Sequence, residues 1–199
     1  MGQRLADEGY LVLLPDLYYR SGPYAPVNPV EVFSDPDKRA GMMKLVMSLD
    51  RDKKVSDAGA FIAFLTSHPD VKGDRFGTTG YCLGGNVSLT AGGAYPEQLV
   101  AVASFHGGNL ATEDPESPHR FVGGMSGRVY VAGAIEDSSF PDEQKTRLEN
   151  ALTAAGVEHT VETYPAHHGF AVDDIPAFDV AAADRHWAAL AELYASTIA

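Results

Sequence analysis

Short apolar or β-rich runs alternating with segments of helical periodicity constrain this chain more than any other feature. The runs cover residues 10–14, 75–80, 99–105, 128–133 and 159–164. Leu99-Val100-Ala101-Val102-Ala103-Ser104-Phe105 lacks the polar alternation of a half-buried strand. Continuous runs of that kind are the pattern of parallel strands covered on both faces. Between the runs, Val55, Ala58, Phe61, Ile62 and Leu65 recur at helical spacing, and Pro69 stops them. A small-residue helix is predicted over 83–91. Pro141, with Asp142 and Glu143, opens another that Gly156 closes. A last helix is predicted over 175–193, carrying Phe178, Ala182, Trp187, Leu190 and Leu193. This alternation predicts an α/β fold with an open, mostly parallel sheet flanked by helices. Residues 17–38, which include Pro23, Pro26, Pro29 and Pro36, are expected to form a long irregular loop.

Composition then removes several function classes. A length of 199 residues with 45% hydrophobic content predicts a single domain, 1–199, with a substantial core. Acidic residues number 27 against 15 basic ones, a formal charge of −12, and no Lys/Arg block occurs, so nucleic acid is not an expected partner. The single cysteine excludes an intramolecular disulfide and suits a reducing compartment, so a cytoplasmic location is expected. Apolar stretches stay far below the ~20 residues of a membrane span. Residues 1–6 have no signal-peptide character, and Ala6 stands where a myristoylation signal wants Ser or Thr. No membrane partner is therefore expected, and the charge is compatible with a monomer or a homodimer. With no Cys/His cluster and no GxGxxG element, neither a metal nor an organic cofactor is implied.

The densest chemical signal is Gly80-Tyr81-Cys82-Leu83-Gly84-Gly85, which joins a predicted strand to a predicted helix. A residue at the apex of such a turn is strained, and glycines two positions to either side let the turn close. The turn lifts Cys82 to a helix N-terminus, where the dipole favours the thiolate. The backbone N–H of Leu83 would face an oxyanion formed on an attacked carbonyl. A lone cysteine is ordinarily a small buried hydrophobe, and this local context is what separates Cys82 from that ordinary case.

A cysteine nucleophile needs a histidine and an acid to orient it. Asp137 follows the run 128–133 and precedes a helix, at a strand's C-terminal end, where open α/β sheets build their sites. Its bland alternative is a helix-start or solvated carboxylate, and Glu136 is the rival acid. His167 and His168 follow the last strand, and one of them would reach the cysteine. His68, His119, His159 and His186 have no evident link to the nucleophile. His106, in Phe105-His106-Gly107-Gly108, resembles the glycine-rich oxyanion loop of esterases but follows the wrong strand. The order cysteine, acid, histidine matches that of the α/β-hydrolases.

These residues resemble the dienelactone hydrolase family over essentially the whole chain. Gly80-Tyr81-Cys82-Leu83-Gly84-Gly85 resembles its nucleophile elbow, His168-Gly169-Phe170 its histidine motif, and Asp137 with Phe140-Pro141 its acid position. The resemblance implies an N-terminally truncated α/β-hydrolase-like fold and a Cys82-His168-Asp137 triad. It further implies a small-molecule ester or lactone substrate hydrolysed through an acyl-enzyme, with Leu83 in the oxyanion hole. Pro15-Asp16-Leu17-Tyr18-Tyr19-Arg20 is similar to the segment in which an arginine binds a substrate carboxylate, which maps to Arg20.

Two departures accompany the resemblance. Where the family's namesake has a second substrate arginine after the histidine, this sequence has Val172. Residues 1–8 read as an internal helix, which in the family follows three strands that are therefore expected upstream of Met1. With them go a glutamate that contacts the resting cysteine and one oxyanion N–H. The natural start is then expected ~45 residues upstream, the span of three strands and their connections. A non-catalytic α/β scaffold or inactive fragment is the competing reading from another class. A cysteine enzyme of the DJ-1 or glutamine-amidotransferase type is disfavoured because His167-His168-Gly169-Phe170 offers no His-x-Glu pairing.

Overall fold

Prolines and capping carboxylates start the helices of the N-terminal part. The computed structural model describes residues 1–24 and 28–198, the side chains of Pro29 and Phe33 apart, and forms two compact units, Met1–Asp74 and Arg75–Ala199. The first unit holds α1 (Gly2–Asp7), a 3₁₀ turn (Tyr19–Ser21), α2 (Pro29–Ser34), α3 (Pro36–Met47) and α4 (Arg51–Ser67). Asn28, Asp35 and Asp50 cap α2, α3 and α4 by accepting from backbone N–H groups at 2.9–3.0 Å. Pro29 and Pro36 occupy the first helical positions, where a missing N–H costs nothing. The expected irregular loop over 17–38 is therefore largely replaced by helix: these prolines start helices instead of preventing them. Pro26 lies outside the described residues.

The expected strand at 10–14 is not one. No ladder reaches it among the described residues, and Leu14 is 75% exposed. A β-type run becomes a strand only when a neighbour takes its backbone groups.

The second unit carries the sheet. Strands β1 (Phe76–Tyr81), β2 (Leu99–Phe105), β3 (Arg128–Gly133) and β4 (Glu158–Thr163) run parallel in the order β1-β2-β3-β4. All seven residues of β2 are buried, as its unbroken apolar composition requires. The helices are α5 (Leu83–Ala94), α6 (Asp142–Ala154) and α7 (Val180–Thr197), with a further 3₁₀ segment at Pro118–Gly124. Ser104 faces Gly85 of α5 while the next residue, Phe105, packs its ring 4.5 Å from His186 of α7. Successive strand residues point to opposite faces, so α5 and α7 cover opposite sides of β2. Asp179 caps α7 through the N–H of Ala182 at 2.8 Å, which moves the start of that helix past the predicted Ile175. No helix among the described residues is long and apolar enough to cross a membrane.

Candidate active site

At the end of β1 the chain turns so sharply that Cys82 adopts φ 54° and ψ −118°, a conformation that strains any residue with a side chain. The turn is held on three sides. Cys82 N–H donates to Phe105 O at 3.3 Å, and Cys82 O accepts from Gly85 N–H at 3.1 Å and Gly108 N–H at 3.3 Å. Close approach dictates Gly80 and Gly85, whereas Gly84, expected to be needed for closing the turn, would meet nothing within 4 Å if it carried a Cβ. A Cβ on Gly80 would sit 1.9 Å from Gly84 O, and one on Gly85 would sit 2.2 Å from Ser104 Oγ. The result is a cysteine at the N-terminus of α5 that solvent reaches on one side while protein packs around the rest of its thiol, with the Leu83 N–H helping to lower it.

Beyond β3 and β4, the next two loops bring their side chains together. His168 Nδ1 lies 2.8 Å from Asp137 Oδ2, and the same imidazole is close enough to the Cys82 thiol for each to shift the other's titration. Asp137 is buried, and its other oxygen accepts from Ser139 N–H at 2.9 Å and Ser139 Oγ at 2.6 Å. Burial alone would raise the Asp137 carboxyl, but the bonds from His168 and Ser139 hold it down at about 2. Burial likewise opposes a charge on His168, yet Asp137 and Cys82 raise it to about 10. On Cys82, burial pushes the thiol up, while the His168 hydrogen bond and charge, with the Leu83 N–H, leave it lowered. The three groups thus shift one another in the same sense, with the thiol and the carboxyl lowered and the imidazole raised.

The candidates named from sequence thus separate. Cys82, His168, Asp137 and the Leu83 N–H converge. His167 and Glu136 instead face each other at 4.0 Å, both largely exposed, away from Asp137. Arg20 belongs to the first unit, where its guanidinium forms an ion pair with buried Asp57, which also accepts from Tyr19 OH at 2.8 Å. Sequence reasoning missed three residues. His106 is 1% exposed, with its ring 5.1 Å from His168 and 4.9 Å from Phe170. Burial and the His168 charge push it down to about 3. Asn86 of α5 and Ser139 are the others, and only the Phe105-His106-Gly107-Gly108 motif offered any local signal. Among the described residues, no group of three or more His, Cys, Asp or Glu side chains is placed to hold a metal ion.

An open parallel sheet with a cysteine elbow after one strand, and an acid and a histidine on later loops, defines a protein of the α/β-hydrolase class. The dienelactone hydrolase family model matches residues 1–198, and the chain belongs to that family, an ester- and lactone-hydrolase class of enzyme. A Synechocystis sp. relative, provisionally named a carboxymethylenebutenolidase, is 30% identical over 196 residues, covering 96% of this chain and 77% of its own. The carboxymethylenebutenolidase of Pseudomonas putida is 30% identical over 131 residues, 65% of this chain and 53% of its own. The fold is shared with a Klebsiella pneumoniae crystal structure provisionally named a dienelactone hydrolase. That likeness has a TM-score of 0.79 at 24% identity, over 97% of this chain and 78% of that one.

Proposed function

We propose that the chain hydrolyses carboxylic esters or lactones by covalent catalysis on Cys82. The observation that carries this reading is the single imidazole of His168, bonded to Asp137 at 2.8 Å and electrostatically coupled to the Cys82 thiol at the elbow. In the first half-reaction the Cys82 thiolate attacks the acyl carbonyl, forming the C–S bond and moving the π pair to oxygen. The Leu83 N–H donates to that oxyanion. Collapse expels the alkoxide, which takes the proton of the His168 imidazolium. From an ester the alcohol departs; from a lactone the new hydroxyl stays tethered to the thioester. In the second half-reaction neutral His168 removes a proton from water, the hydroxide attacks the thioester, and Cys82 leaves as thiolate with the carboxylic acid as product. Asp137 fixes the imidazole tautomer and stabilises the imidazolium in both.

Hydrolysis of an activated aryl acetate by the parent and by Cys82→Ala, with circular dichroism on both, tests the mechanism. Turnover by the parent and none by a well-folded Cys82→Ala is the expected result. Equal turnover by the two removes Cys82 from the chemistry. A well-folded parent without turnover on aryl acetates or simple lactones favours the non-catalytic scaffold.

A further inference from the structure

Asn86 sits one turn into α5, four residues after Cys82, and is buried to 7% exposure. Its side-chain amide reaches off the helix to Asn109 O at 3.0 Å and Gly108 O at 3.4 Å. These carbonyls belong to the loop after β2, whose Asn109 is itself held at φ 54°. That loop touches both halves of the site. Gly108 N–H donates to Cys82 O at 3.3 Å, and Asn109 N–H donates to Ser139 O at 2.7 Å. Ser139 in turn donates to Asp137 Oδ1 through both its N–H and its hydroxyl. Asp137 meets His168, and His168 meets Cys82. The hydrogen bonds therefore form a chain from Cys82 and α5 through the 107–109 loop and the acid loop to His168, whose charge acts back on the Cys82 thiol.

Resting on the Cys82-His168-Asp137 reading, we propose that Asn86 and Ser139 are positioning residues that keep the carboxylate and imidazole in register with the cysteine. Neither touches the reacting atoms. A left-handed loop residue has little intrinsic reason to hold its place. The bidentate amide of Asn86 supplies one, and it transmits the position of α5 to the acid loop. Ser139 removes the rotational freedom of the Asp137 carboxylate by occupying the oxygen that His168 does not use.

Asn86→Leu keeps the side-chain size and deletes the donor. Ser139→Ala keeps the backbone N–H and carbonyl and deletes the hydroxyl. Each is measured for kcat and KM on an aryl acetate, and for the pH profile of Cys82 alkylation by iodoacetamide. Expected is a kcat loss of about 10- to 100-fold with KM little changed, the cost of small misplacements of reacting groups. The alkylation profile moves toward that of an ordinary thiol. The double variant loses much less than the product of the single losses, because both act on one network. Unchanged kcat and alkylation profiles in folded variants, or fully multiplicative losses, overturn the inference. If Asn86→Leu does not fold, Ser139→Ala alone decides it by the same two readouts. A parent that alkylates like an ordinary thiol and has no turnover overturns the triad reading itself, a result distinct from unaffected variants of an active parent.

Discussion

His106 ends β2 at φ 39°, fully buried, with neither ring nitrogen hydrogen-bonded. An imidazole so placed is costly, since buried polar groups nearly always find a partner. Its neighbours are the rings of Tyr81, His168 and Phe170, and the charges that reach it are those of His168, His186 and Asp137. Burial and the His168 charge hold it neutral down to about 3, whereas in the unfolded chain it titrates near 6.5. Below that pH the unfolded state binds a proton that the folded state refuses. Stability therefore falls as the solution is acidified, at up to about 1.4 kcal/mol per pH unit from this group. His168 does not offset the loss, because its raised pKa leaves it protonated in both states across that window. His106→Phe is expected to flatten the acid side of the stability profile. Urea titrations of parent and variant at neutral pH and near pH 4.5 check this, and parallel losses in both would remove His106 as the cause.

The elbow between β1 and α5 makes a demand on single positions that can be tested in pairs. Gly80→Ala drives a methyl into backbone that cannot move without opening the turn, and is expected to destabilise by about 3 kcal/mol. Gly84→Ala, four residues on, meets nothing within 4 Å and is expected to be tolerated. Comparing their denaturant midpoints checks the pair, and similar losses would mean the turn is softer than its geometry. The same elbow explains why so much of the site was legible in the sequence. Cys82 is announced by Gly80 and Gly85, which close approach at the turn requires, and Asp137 and His168 by their places after strands. Strands β2 and β3 were equally legible, β2 as an apolar run buried throughout and β3 as a β-rich run with only Arg128 and Tyr130 half-buried. Asn86, Ser139 and His106 were not, because what matters about them is which loop lies opposite, and no local pattern carries that. The prolines of the N-terminal part misled for a different reason. Proline starts a helix as readily as it breaks one, and only a cap such as Asn28 or Asp35 tells which. Residues 10–14 misled because composition records a capacity to pair without naming a partner.

At the scale of the whole chain, burial is divided unequally. Among the described residues of Met1–Asp74, the buried ones are Leu49, Asp57 and Ala58, whereas Arg75–Ala199 holds the sheet and nearly all the core. Local opening follows burial and backbone pairing, so native-state hydrogen exchange is expected to be slowest at the amides of β2 and fast at residues 11–14. Protection of 11–14 comparable to β2 would show that they pair in solution. A different consequence follows from the count of thiols. Cys82 is the one cysteine in these 199 residues, and it is exposed. A peroxide that converts its thiolate to a sulfenate meets no neighbour able to trap that state as an internal disulfide. Recovery then falls to a thiol from outside the chain, and each further equivalent of oxidant carries the sulfur toward the irreversible sulfinate. The same solitude has a practical side: a thiol-directed label placed on this chain reports from one atom, at the mouth of the site.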